Sequence, residues 1–62
     1  MSEELLVTVV EAARRLGLGR SLTYRLIQSE TLKSVKVSGA RRVAVADIEE
    51  FVSRLRDGDE AK

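Results

Sequence analysis

The chain has 62 residues, of which 34% are charged and only 3% aromatic, and its formal net charge is +1. A chain this short forms at most one domain and buries about 60% of its unfolded surface, so we expect modest stability. It has no cysteine or histidine to form a disulfide or a typical zinc site, and no apolar run near the ~20 residues of a membrane span. We therefore expect a cytoplasmic domain with no membrane contact, cofactor, metal or small-molecule ligand.

The small net charge hides a basic centre between two acidic ends. Residues 1–13 and residues 43–62 each carry a net charge of −3, whereas residues 14–42 carry +7, with Glu30 as their single acid. Charge segregated in this way is typical of nucleic-acid-binding domains when the fold brings the basic side chains to one surface. The alternative is chance clustering in a chain rich in charged residues.

The N-terminal third predicts an extended segment, a helix and a tight turn. We expect a disordered N-terminus at residues 1–4 and a brief extended segment at residues 5–7. Thr8 and Glu11 have capping-box spacing, in which each side chain binds the other residue's backbone amide. The helix that follows has an apolar face of Val9, Ala12, Ala13 and Leu16. Residues 17–19, Gly-Leu-Gly, predict a turn into a second helix and hence a helix-turn-helix.

The second helix, residues 20–28, has one face of polar side chains. Its apolar face carries Leu22, Thr23, Leu26 and Ile27, and its polar face carries Arg20, Ser21, Tyr24, Arg25 and Gln28. Arginine and glutamine match the edges of guanine and adenine in a major groove, while serine and tyrosine commonly contact phosphate. The alternative is an ordinary amphipathic helix with a solvated face.

The sequence then predicts a β-hairpin with a basic tip. Residues 33–37 and 41–45 alternate as strands around the turn residues 38–40. A hairpin this small is marginal alone, so we expect Val35, Val37 and Val43 to pack on the helices. Arg41 and Arg42 would then reach a DNA backbone or minor groove. They could instead protect an edge strand from aggregation.

A third helix begins near Ala44. Ile48, Phe51, Val52 and Leu55 form an apolar stripe that we expect to close the core, with an acidic outer face directed away from DNA. We place the ordered domain at residues 5–56 and a disordered acidic tail at residues 57–62. The predicted fold is α+β and mostly α: a small winged helix-turn-helix with three helices and a two-stranded hairpin wing between helices 2 and 3.

Three stretches of the sequence read T-V-V-E-A-A-R-R-L-G-L-G-R-S-L-T-Y-R-L-I-Q-S, then L-K-S-V-K-V-S-G-A-R-R-V, then A-D-I-E-E-F-V. Together they resemble the excisionase-type, MerR-like winged helix-turn-helix domains. The resemblance places Glu30 where glycine commonly ends the recognition helix. It implies DNA contacts from the recognition helix by Arg20, Ser21, Thr23, Tyr24, Arg25 and Gln28. It also implies contacts from the wing by Lys36, Arg41 and Arg42.

By resemblance, the chain is expected to be a non-enzymatic, sequence-specific binder of double-stranded DNA. The first interpretation is a phage or mobile-element excisionase, a recombination directionality factor that binds adjacent sites, associates with itself on DNA, bends it and directs a phage-type integrase toward excision. The second is a small transcriptional regulator, which would use the same contacts. A protein-interaction module such as an anti-repressor would need no DNA affinity. An enzyme is the weakest alternative, since no nucleophile stands beside a base.

Overall fold

The computed structural model describes the backbone of residues 4–61 and the side chains of residues 4–58. The elements follow in the order β1 (Leu6–Thr8), α1 (Val9–Leu16), α2 (Arg20–Gln28), β2 (Val35–Val37), β3 (Ala40–Ala44) and α3 (Val45–Ala61). Three helices with a hairpin between the second and the third confirm the predicted winged helix-turn-helix. None of the described helices combines the length and hydropathy needed to cross a bilayer.

The first helix begins and ends as its sequence predicts, with one difference at the cap. The Glu11 amide donates to Thr8 Oγ1 at 3.0 Å, so the threonine half of the capping box is present. The Glu11 carboxylate binds Arg14 and Arg15 instead of turning back to Thr8. Gly17 ends the helix in the left-handed conformation, at φ 72°.

The hairpin is part of a three-stranded sheet, whose third strand the sequence patterns did not predict. β1 pairs antiparallel with β3, so the sheet order is β1-β3-β2 and the extended segment before α1 is part of the sheet. β2 and β3 are joined by a two-residue loop, because Val37 pairs with Ala40. Ser38 and Gly39 both have positive φ, 51° and 83°, which identifies a type I′ turn.

The core lies between the inner face of the sheet and the three helices. Its buried members are Val7, Val9, Ala12, Ile27, Leu32, Val43, Ile48 and Phe51. The expectation that Val35 and Val37 pack on the helices is wrong, because both valines are more than 40% exposed. They pair with Arg42 and Ala40, one residue out of step with buried Val43, and therefore lie on the outer face of the sheet.

The third helix differs from its prediction in length and in packing. α3 continues through residues 57–61, where the sequence predicted a disordered tail, whereas Lys62 lies outside the described residues. Of the predicted disordered N-terminus, residues 1–3 also lie outside the described part of the chain. Only the first turns of α3 close the core: Ile48 and Phe51 are buried, whereas Val52 and Leu55 are exposed.

Candidate nucleic-acid interface

The polar face of α2 is open to solvent along its whole length. Ile27 is buried against the core and fixes how α2 is rotated. The side chains exposed on α2 include Arg20, Ser21, Tyr24, Arg25 and Gln28, which are five of the six predicted contacts on this helix. Leu22, which the sequence placed on the apolar face, is also 40% exposed. The structure thus brings together two guanidinium groups, a carboxamide and two hydroxyls on one helical surface.

The sixth predicted contact, Thr23, has no exposed surface and does not belong to this face. Its hydroxyl donates to the Gly19 carbonyl at 2.9 Å, and its own amide donates to the same oxygen at 3.1 Å. Gly19 precedes α2 without a side chain that could cap the helix. Thr23 therefore stabilises the first turn of α2 from inside the domain, and its assignment as a DNA contact is corrected.

Arg41 and Arg42, which the sequence analysis treated together, lie on opposite faces of the wing. Lys36 and Arg41 are directly paired across the hairpin, so their side chains share a face. Arg41 also lies two residues before buried Val43, which makes this the face on the helix side of the sheet. Arg42 points to the other face, where it pairs with Thr8 of β1.

A cleft of about 650 Å³ lies between α2 and the wing. Its floor is apolar, formed by Ile27 and Leu32. Its rim is polar and consists of Tyr24, Gln28, Glu30, Lys33, Ser34 and Arg41. Arg41 Nη1 donates to Ser34 Oγ at 2.9 Å, so the guanidinium is held at the rim.

Sequence reasoning missed Lys33 and Ser34 as members of this surface. Both follow Leu32, which is 1% exposed and anchors the loop after α2 in the core. That anchor brings the next two residues to the mouth of the cleft. Their signal in the sequence was their position directly after a buried residue in the loop that follows α2.

The sequence matches a family model described as a helix-turn-helix domain over residues 6–56, and two proteins that carry the name excisionase or probable excisionase are similar to it. A probable excisionase of Saccharopolyspora erythraea is 40% identical over 55 residues, which cover 89% of this chain and 56% of the relative. An excisionase of Streptomyces ambofaciens is 45% identical over 47 residues, which cover 76% of each chain. No solved structure gives a significant match.

The chain belongs to the excisionase family of DNA-binding helix-turn-helix proteins. It spans little more than half the length of the Saccharopolyspora relative. Within this family assignment, α2 is the second helix of the helix-turn-helix motif, the one that enters the major groove in DNA-binding members of this class.

The two basic residues of α1 pair with carboxylates of the same domain. Glu11 accepts hydrogen bonds from Arg14 Nε at 2.9 Å and from Arg15 Nε at 2.8 Å, and Arg15 Nη2 lies 3.6 Å from Glu4 Oε1. Arg14 and Arg15 lower the pKa of Glu11 from 4.5 to about 2. Five further cations lie around α2 and the inner face of the wing: Arg20, Arg25, Lys33, Lys36 and Arg41. Of these, Lys33 and Arg41 line the cleft itself.

Glu30 ends the recognition helix in a left-handed conformation that glycine adopts more easily. The φ of Glu30 is 64°. The Glu30 amide donates a hydrogen bond to the Ile27 carbonyl, and the Leu32 amide donates one to the Leu26 carbonyl. This turn sends Leu32 into the core, so the positive φ is required by the fold. A non-glycine residue in this conformation costs about 1 kcal/mol.

Proposed function

We propose that this protein acts as an excisionase: it binds adjacent sites near an attachment site and directs a phage-type integrase toward excision. The observation that carries the proposal is the single surface formed by the exposed face of α2, the cleft and the inner face of the wing. This surface combines five cations with side chains that can read bases. The names of the two relatives support excision as the process. The proposed role is architectural, is exercised on DNA in the bacterial cytoplasm and involves no catalysis.

The exposed face of α2 supplies the base contacts in this proposal. Arg20 and Gln28 lie at opposite ends of α2, and their forked ends suit guanine and adenine edges. Ser21 and Tyr24 lie between them and suit phosphate oxygens. Docked in this way, α2 spans roughly 13 Å of the major groove, because a helix rises about 1.5 Å per residue.

The wing supplies backbone contacts on the other side of the cleft. Lys36 and Arg41 share the face turned toward α2. A duplex whose major groove receives α2 would run one strand past the wing side of the cleft, where Lys33 and Ser34 lie with Arg41 and can also donate to a phosphate. The wing and α2 would then contact the same DNA strand from two sides.

Self-association on DNA and bending are the further parts of the proposal. Val10 on α1 and Val52 and Leu55 on α3 are exposed apolar side chains away from the recognition face. Glu49 and Glu50 add exposed negative charge to α3, which could meet the basic surface of a neighbouring copy. Reversing both charges should reduce cooperativity between adjacent sites, and unchanged cooperativity would rule out the acidic part of this contact.

A gel-shift titration tests the central proposal. Wild type, Arg20→Ala and Arg56→Ala are compared on DNA spanning an attachment site at several salt concentrations. Arg56 is an exposed arginine on α3, so its variant removes the same charge away from α2. We expect a salt-sensitive ladder of shifts that Arg20→Ala weakens and Arg56→Ala does not.

Each other outcome of the titration has a definite meaning. A single shift at a promoter-like site, without a ladder, would indicate a small transcriptional regulator instead. No shift at low salt on any DNA would leave the protein-interaction module. Equal losses in the two variants would refute the assignment of α2 as the reading helix.

A further inference from the structure

Glu30 is the acidic residue at the centre of the basic surface. It is the single acid within residues 14–42 and lies on the rim of the cleft with Gln28, Lys33 and Arg41. Among the described residues, no hydrogen bond or ion pair within 4.0 Å joins its carboxylate to another group. The carboxylate is exposed and free to meet a ligand that approaches the cleft.

The fold gains nothing from a glutamate at this position. The turn requires a positive φ, which the equivalent turn after α1 obtains with Gly17. A negative side chain also lies unfavourably at the C-terminal end of a helix, where the dipole is negative. Backbone strain without a compensating contact inside the protein is a feature of functional positions. None of the described residues supplies a partner for Glu30, which leaves a bound ligand as the candidate.

The chemistry of the groove defines that partner. An ionised carboxylate is only an acceptor, so it needs a donor on a base edge. Cytosine offers its N4 amino group, whereas adenine offers its N6 amino group beside the N7 acceptor, which would face the carboxylate. Phosphate oxygens offer no donor, and a carboxylate placed beside them is repelled.

We infer that Glu30 is a specificity-determining residue, whose carboxylate accepts a hydrogen bond from cytosine N4 and disfavours DNA that lacks cytosine at that position. This inference rests on the proposed DNA binding by α2. Glu30 then acts in two ways: it adds affinity at the correct site and removes affinity elsewhere. Specificity of this kind depends on the repulsive element as much as on the attractive one.

Selection from a pool of randomised duplexes tests the inference, because it finds the preferred bases whatever the natural site is. The proteins are wild type, Glu30→Gln and Asp57→Asn, where Asp57 is exposed on α3 and gives the same change in net charge. Glutamine is close to glutamate in size but pairs best with adenine. We expect wild type and Asp57→Asn to enrich cytosine at one position about tenfold. Glu30→Gln should lose that preference or replace cytosine with adenine there.

Affinity for unselected DNA gives the second measurement. Glu30→Gln should bind random duplexes about threefold or more tighter than wild type, and Asp57→Asn should differ less. The same base preferences in wild type and Glu30→Gln would overturn the inference while leaving the proposed function intact. An equal gain in random affinity for the two variants would also overturn it. A wild-type protein that binds no duplex would overturn both.

Discussion

Replacing Arg41 with alanine should weaken DNA binding, whereas replacing the neighbouring Arg42 should leave it nearly unchanged. The two residues are identical in type and adjacent in β3, but the strand pleat turns them to opposite faces of the sheet. Arg41 pairs with Lys36 and lies at the cleft, while Arg42 pairs with Thr8 and Val35 on the outer face. Each variant is therefore the matched control of the other.

The magnitude follows from the number of cations on the recognition side. If the five cations beside the cleft each neutralise one phosphate, log K should fall with log salt at a slope of about −4.5. Without Arg41 the slope should be about −3.6. A hydrogen bond that involves a charged group contributes about 1.5 kcal/mol at the low end, which is a loss of roughly tenfold in affinity.

Fluorescence anisotropy with one labelled duplex at several salt concentrations measures both quantities. Between about 50 and about 200 mM salt, the ratio of wild-type to Arg41→Ala affinity should shrink by about 3.5-fold, because one counterion fewer is released. Arg42→Ala should parallel wild type throughout. A slope lowered equally by the two substitutions, or by Arg42→Ala alone, would refute the assignment of faces to the wing.

Three further substitutions test what stabilises the domain. Thr23→Val should lower the free energy of unfolding by about 1 kcal/mol, because one hydrogen bond is lost, and should keep the wild-type salt slope; a changed slope would restore Thr23 as a DNA contact. Glu30→Gly should raise the free energy of unfolding by about 1 kcal/mol and Tm by about 4–8 °C, and a lower Tm would show that the turn is not strained. The folded pKa of Glu11, about 2, lies below its ordinary 4.5, so the unfolded chain binds more protons between those values. Wild-type stability should therefore fall as pH drops from 4.5 to about 2, and Glu11→Gln should flatten that fall in an acid titration followed by circular dichroism; identical profiles would contradict the pairing of Glu11 with arginine.

The helix-turn-helix was predictable because its signals are local. A threonine cap, a left-handed glycine and two amphipathic faces specify α1, the turn and the exposed side of α2. The buried position of Thr23 was also visible on the helical wheel, where it belongs to the apolar side. Its assignment to DNA came from the resemblance alone, and the structure corrects it.

The sheet was less predictable because its determinants are not local. Alternation in β2 indicated a strand but not which face is buried, and the apolar residues Val35 and Val37 turned out to face solvent. The register with β3 determines which face of β2 is buried. That register depends on a two-residue turn in which Ser38 has a positive φ, an unusual conformation for serine. β1 is too short, at three residues, to show any periodicity before its partner is known.

The end of α3 lies further along the chain than the sequence indicates. The polar residues from Asp57 onward predicted a disordered tail, whereas α3 extends to Ala61. Glycine inside a helix costs about 1 kcal/mol relative to alanine, so it destabilises the helix without necessarily ending it.

The pairing of β1 with β3 also determines where a protein–DNA complex can deform. Val7 lies opposite Val43, and the Val45 amide donates to the Leu5 carbonyl at 2.9 Å, so the base of the wing is fastened to both the core and the start of α3. A wing held in this way has little freedom to swing toward or away from α2. In the proposed complex the duplex would make any adjustment of groove width or curvature, and that adjustment costs less at flexible pyrimidine–purine steps. A stiff wing would thereby favour particular base pairs that no side chain touches.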